Sequence, residues 1–208
     1  MRAGLPGSRR HGAGRAEATT VVPDRGLTLL QHAKIAVHAL FATRIEYAFG
    51  GAIAVNAWVR REAVRLTQDI DFHAVVSRSD LVRICEDMGR RGVHGVPGGE
   101  VVFRTSGMTL RRILCEPGPI IDFLETYGPH GSQAIARRIA VPLQGRPAYV
   151  LAPEDVLLYK ALAFRDKDRL DIENVIEAQG PQIDREYLES WARRLRIWTR
   201  LSRFLRRA

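Results

Sequence analysis

Asp69 and Asp71, in the run Leu66-Thr67-Gln68-Asp69-Ile70-Asp71-Phe72, are the residues best suited to chemistry. On a β-strand, side chains at i and i+2 leave the same face, with Cα atoms about 6.6 Å apart. Two carboxylates that close repel each other and need a neutralising partner. A hard divalent cation supplies one, and magnesium commonly takes one or two carboxylates together with substrate phosphates. Ile70, between them, would point into a core and fix the strand. The alternative is a solvated pair on an exposed strand edge, where charge discourages pairing with another chain.

Gly50-Gly51 is the second feature. A strand over Ile45 to Phe49 runs into the glycines, and Ala52 to about Arg61 reads as a helix of small and apolar residues. A strand, a glycine pair and a helix start place backbone N–H groups where a phosphate can approach closely. Taken alone, the pair also fits a plain tight turn. Neither a Walker A pattern nor G-x-G-x-x-G is present, which disfavours P-loop and dinucleotide sites. Taken together, the glycines supply a triphosphate cradle and the aspartates its metal, a combination suited to phosphoryl or nucleotidyl transfer.

The elements that must position these residues are legible in outline. Apolar residues from Leu27 to about Phe41 recur at helical spacing, and Leu66–Val76 carries period-two alternation in its first half. Ser77 to Ser79 offer helix caps before a face of Leu81, Ile84, Cys85 and Met88. Gly92–Gly99 reads as a turn-rich loop. Strands are expected at Glu100–Thr105, Thr109–Cys115, Ile120–Leu124, Ile139–Leu143 and Ala148–Leu151. Pro153 opens a helix to about Phe164, and helical patterns follow to Ala178 and from Asp184 to Arg207. The order predicts an α/β fold with a mixed sheet flanked by helices and followed by a C-terminal helical segment. The expected organisation is a disordered Arg/Gly-rich stretch over 1–26, a core over 27–151 and a helical region over 152–208.

Composition sets the outer limits. The chain has 208 residues, 46% hydrophobic and 26% charged, enough for one domain with a real core. No apolar run approaches the roughly 20 residues of a membrane span, so no membrane partner is expected. Cys85 and Cys115 match neither a zinc nor a C-x-x-C spacing, so a reduced, cytoplasmic protein is expected. The net charge of +9 is concentrated at the ends: +3 over residues 1–26 and +5 over 182–208, leaving +1 between. With 29 arginines against three lysines, arginine abundance alone is weak support for nucleic-acid binding.

The stretch from Tyr47 to Asp71, with its Gly-Gly, its helix and its Asp-Ile-Asp, resembles the opening motif of the polymerase-beta-type nucleotidyltransferase superfamily. Arg65 and Thr67 before Asp-Ile-Asp are similar to the AbiEii-like toxin branch and related small bacterial nucleotidyltransferases. Ile120-Ile121-Asp122-Phe123-Leu124 resembles the strand carrying a third carboxylate, and Ala152–Ile172 resembles that branch's helical Lys, Arg, Lys-Asp, Asp motif. The likeness spans about 45–178. Ala52 stands where relatives often have a hydroxyl, and 17 residues separate Gly51 from Asp69, a long spacer for the group.

The resemblance implies that Asp69, Asp71 and Asp122 hold two magnesium ions and that a nucleoside triphosphate is the co-substrate. Gly50 and Gly51 would cradle its phosphates, with Lys160 or Arg65 offsetting the charge on pyrophosphate. Asp168, with Asp171, would orient Lys160 or the nucleotide. It also implies a tRNA end as acceptor and a cognate antitoxin as partner. An antibiotic or other small-molecule acceptor is the enzyme alternative, and a noncatalytic nucleotide- or partner-binding protein is the other. Each residue also has a plainer explanation: a solvated Lys160, surface ion pairs for Arg165, Lys167, Asp168 and Asp171, and a structural role for His73.

The tail completes the expectations. Leu188, Trp191, Leu195, Trp198 and Leu205 can form one helix face. Arg193, Arg196, Arg200, Arg203 and Arg207 follow 3-4-3-4 spacing on another face, giving candidate RNA contacts along one helix about 20 Å long.

Overall fold

The computed structural model describes residues 27–103, 108–126 and 128–206, so the readings of residues 1–26 and of Arg207 lie outside the described residues. In chain order the elements are α1 (Leu29–Ala42), β1 (Tyr47–Phe49), α2 (Gly51–Trp58), β2 (Ile70–Ala74), α3 (Arg78–Gly89), β3 (Gly95–Phe103), β4 (Met108–Cys115), β5 (Ile120–Thr126), α4 (Pro129–Ala136), β6 (Ile139–Leu143), β7 (Arg146–Val150), α5 (Pro153–Ala163), α6 (Asp166–Gln179), α7 (Arg185–Arg194) and α8 (Trp198–Leu205). Thr28 and Gln31 form a capping box at the start of α1, and Ser77 and Asp80 form one at α3.

The strands form one seven-stranded mixed sheet in the order β3-β4-β5-β2-β1-β7-β6. β2 runs parallel to β5 and β1 parallel to β7, while the remaining neighbours are antiparallel. Strand alternation divides the interior into two layers. Tyr47, Phe49, Ile70, Phe72, Ile121 and Phe123 face α1 and α3. The opposite layer joins Ala48 to α2, α4, α5, α6, α7 and α8, so the helices beyond residue 152 share a core with the first glycine-led helix. The fold is α/β, as the order of patterns predicts.

Three expectations change. β3 starts at Gly95, inside the segment read as a loop. It is an edge strand with few buried side chains, so it lacks the alternation that marks a half-buried strand. The region before Ile70 is not strand: α2 ends at Trp58 and a single 3₁₀ turn covers Arg61–Ala63. The tail is two helices, not one. Arg196 adopts φ +59°, and its N–H donates to Arg193 O (3.0 Å) while that of Ile197 donates to Ala192 O (2.8 Å). These are the two bonds of a Schellman stop, built here on arginine instead of the usual glycine.

Candidate active site

Phe49, Phe72 and Phe123 stack across β1, β2 and β5 with ring centroids 4.6 and 5.5 Å apart, and this row fixes the opposite orientation for the residues beside them. Asp71 and Asp122 therefore face the α2 and α5 layer. They are register partners on parallel neighbours, so their Cα atoms are about 4.8 Å apart. Asp69 lies one residue before β2, exposed, just after a bend at Gln68, and the Thr67 hydroxyl donates to its carbonyl at 3.2 Å. Within the sheet, the residues that share a face are thus Asp71 and Asp122, with Asp69 just outside β2 and near enough to raise Asp71. Burial pushes the Asp71 carboxyl above its ordinary value; Lys160 opposes this and Asp69 adds to it. Burial raises Asp122 too, with Arg112 pulling it down and Asp71 and Asp69 pushing it up.

The glycines are required by the tight turn itself, the plainer of the two expected readings. The Gly50 N–H donates to Asp71 O at 2.8 Å, so it ties the turn to β2 instead of facing a phosphate. A Cβ on Gly50 would lie 2.5 Å from Cδ2 of His73, which is buried beneath it. Gly51 has φ +49°, and a Cβ there would lie 1.8 Å from Oδ2 of Asp71. The first bond within α2 runs from Ala54 N to Gly50 O, so the amides of Gly51, Ala52 and Ile53 have no acceptor within the helix. These amides lie at the start of α2, where Gly51 packs against the Asp71 carboxylate.

Lys160 is buried, which overturns its reading as a solvated surface lysine. Its Nζ donates to Asp168 Oδ1 at 3.2 Å and contacts Asp171 Oδ2 at 2.7 Å. Arg65 donates from Nε and Nη2 to the two oxygens of Asp171 at 2.9 and 3.0 Å, and Arg165 donates to Asp168. Burial would raise both carboxyls, but these cations outweigh it and hold Asp168 and Asp171 below their ordinary values. Asp168 and Asp171 therefore orient Lys160. They are internal partners, not solvated surface charges.

Two contributors are absent from the sequence-based expectations. Asn56 on α2 donates to Arg65 O (2.8 Å) and accepts from Arg65 N (3.1 Å), holding the loop that presents Arg65. Arg112 on β4 sits opposite Asp122 and donates from Nε and Nη2 to its two oxygens, both at 3.1 Å. The sequence leaves Asp122 to be partnered by metal, whereas in the structure an arginine partners it. The pairing follows from the register of the β4–β5 hairpin, which turns at Glu116–Pro119 and sets Arg112 across from Asp122.

The donor set suits magnesium in kind, because Asp69, Asp71 and Asp122 offer only hard oxygens. Neither Asp69 nor Asp71 forms an ion pair among the described residues. No three His, Cys, Asp or Glu side chains among the described residues are already gathered to hold an ion. Asp122 differs from Asp69 and Asp71 in having both carboxylate oxygens occupied by Arg112.

The tail arginines do not form one row. Arg193 pairs with Glu189, and Arg200 donates to Ala161 O at 3.3 Å and lies over the Phe164 ring. Arg196 lies in the break and Arg203 on α8, both exposed.

No family model and no curated protein matches the chain. Solved structures do, and the likeness is one of fold: the mixed sheet with its flanking helices is similar to that of several nucleotidyltransferases. One is the antibiotic-resistance factor ANT(2″)-Ia in solution (16% identity, 79% of this chain and 90% of that one, TM-score 0.51). The same factor in complex with adenylyl-2″-tobramycin is similar at 17% identity, over 82% of this chain and 98% of that one, with a TM-score of 0.50. The Megavirus polyadenylate synthase is similar at 14% identity and TM-score 0.50, over 74% of this chain and 33% of that one. These likenesses are of fold alone and do not single out the AbiEii-like branch. No helix among the described residues is long and apolar enough to cross a membrane.

Proposed function

We propose that the chain transfers a nucleoside monophosphate from a nucleoside triphosphate to an acceptor hydroxyl, with magnesium bound by Asp69, Asp71 and Asp122. The observation that carries this reading is the juxtaposition of Asp71 and Asp122 with the Gly51 turn, where carboxylates meet free helix amides. Metal charge is the natural remedy for both the carboxylates' repulsion and the approach of a polyphosphate. The acceptor oxygen forms a bond to the α-phosphorus, the α–β phosphoanhydride bond breaks, and pyrophosphate leaves. Asp122, raised by burial, takes the acceptor's proton once its arginine has moved away. The amides of Gly51–Ile53 hold phosphate oxygens, and Lys160, fixed by Asp168 and Asp171, adds a fixed positive charge beside Asp71. Bound magnesium supplies the charge that offsets the attacking and leaving oxygens.

A tRNA end is the acceptor favoured by the exposed arginines of the tail, which also suit an acidic partner such as an antitoxin. A small-molecule hydroxyl is the second acceptor reading, supported by likeness to ANT(2″)-Ia over 98% of that protein's length. Pyrophosphate release is to be measured with each nucleoside triphosphate, with magnesium or chelator, against bulk tRNA and an aminoglycoside panel. Magnesium-dependent release with one acceptor class assigns it. Nucleotide binding without release from any acceptor would favour a noncatalytic binding protein on the same fold.

A further inference from the structure

Resting on that transferase reading, we propose that Arg112 stands in for the second divalent cation at Asp122. The two ions then bind in order, the first at Asp69 and Asp71 and the second only by displacing the guanidinium.

Arg112 gives Asp122 what a cation would give it: neutralisation, and contact with both carboxylate oxygens at 3.1 Å. It does so where the need is greatest, since Asp122 is the in-register neighbour of Asp71 and feels the charge of Asp69 as well. A carboxylate engaged by a two-pronged guanidinium has its best lone pairs occupied, so ion binding at Asp122 competes directly with the arginine.

The surroundings favour departure of Arg112. Its side chain is 35% exposed, against 9% for Lys160, so it can swing into water without leaving a buried hole. Only the head needs to move, because the stem is seated against β3. The pairing of β3 with β4 is irregular between Pro97 and Glu100, and a Cβ on Gly98 would lie 2.7 Å from Arg112 Cγ. Gly98 thus lets the arginine lie flat against its neighbour strand. Once displaced, the guanidinium stays tethered at the rim of the site, with five N–H donors for a phosphate or an anionic acceptor.

The test is titration of the full-length chain with Mn²⁺ alone, reading free Mn²⁺ by electron paramagnetic resonance. Wild type should show a tighter and a weaker site. Arg112→Gln should tighten the weaker site about tenfold and move the tighter one by less than about twofold, tenfold corresponding to about 1.4 kcal/mol. Arg112→Lys keeps the charge but loses the fork, so it should tighten the weaker site by about threefold; it is the variant to read if Arg112→Gln does not fold. Asp122→Asn should abolish the weaker site in either background. Two sites of unchanged affinity in both Arg112 variants, or a weaker site lost with Arg112, would overturn the proposal while leaving the transferase reading intact. Failure of wild type to bind Mn²⁺ at all would overturn that reading, and this proposal with it.

Discussion

Two groups of aspartates lie close together in this molecule and are treated in opposite ways. On α6, Asp168 and Asp171 are shut away from solvent and paired with Lys160, Arg65 and Arg165. At the start of β2, Asp69 and Asp71 have no cation of their own among the described residues, although Asp71 is driven upward by burial and by its neighbour. A charge that is matched inside the protein contributes to architecture. One that is crowded, partly buried and unmatched is waiting for a ligand of opposite charge. Asp122 lies between the two cases, matched by an arginine that is exposed enough to be exchanged.

Neutralising one carboxylate of the unmatched group should have the largest effect. Asp71→Asn is expected to lower nucleotidyl transfer about ten-thousandfold, or about 5 kcal/mol in barrier, measured at saturating magnesium. Stability of the metal-free chain should hold or rise. The sign follows from the raised carboxyl: its contribution to stability is present below the ordinary value of 3.8 and is lost as pH rises through the folded value. At neutral pH the ionised group is therefore a net cost that the amide removes. Magnesium should raise the wild-type melting temperature at pH 7 more than at pH 4, and should not raise that of Asp71→Asn. A variant that keeps near-normal turnover would end the metal assignment.

The matched group should respond the other way. Lys160→Met leaves Asp168 and Asp171 short of a buried partner and is expected to destabilise the chain by about 3–5 kcal/mol, read as a urea midpoint. If the variant melts like wild type but no longer binds nucleotide, Lys160 is a ligand contact and the two groups are not different in kind. Gly51→Ala should cost less, about 1–3 kcal/mol, from the φ of +49° and the contact with Asp71 Oδ2. Its effect on magnesium binding should exceed its effect on folding, because the side chain it displaces is Asp71. Equal binding by a folded Gly51→Ala would show that the turn leaves the carboxylate unconstrained.

What can be read in the sequence follows from how locally each feature is encoded. The Phe-Gly-Gly turn and the Ser77 cap each carry their signal within a few residues and lie at the end of an element as expected. The Asp-Ile-Asp run, expected inside a strand from Leu66, instead straddles the start of β2 at Ile70. α4 escapes such a reading because Pro129–Ala136 is short and half polar, with too few apolar positions to show a period. The expected continuous tail helix fails because an arginine at positive φ gives no compositional warning. The partners of Lys160 are eight and eleven positions away on the next helix. The turn between α5 and α6, where Phe164 takes a left-handed conformation, brings them together, so this pairing is expected from the family resemblance and not from any local pattern. Arg112 depends on the pairing register of a hairpin, which the sequence does not state.

The smallest expected effect concerns the mirror image of Asp69 and Asp71, namely cations without acids. Arg196, Arg203 and Arg206 are exposed and form no ion pair among the described residues, whereas Arg193 on the same surface is paired with Glu189. If unmatched charge marks a ligand surface, the first three should contact RNA phosphates and Arg193 should matter little. Deleting the tail would not test this, because Ile197 and Leu201 belong to the core. Glutamine substitutions do, since they keep the stem and remove the charge. Replacing Arg196, Arg203 and Arg206 together should make the slope of log affinity against log salt shallower by about 2, at about 0.7 per phosphate contact on a single strand. Arg193→Gln should leave it within about 0.3. Equal slopes for the triple variant and wild type would remove RNA from the reading of the tail and leave an acidic protein partner as the claimant for those charges. A fall in the slope with Arg193→Gln as large as any single member of the triple would show that pairing does not predict function on this surface, and would weaken the same inference at Asp69 and Asp71.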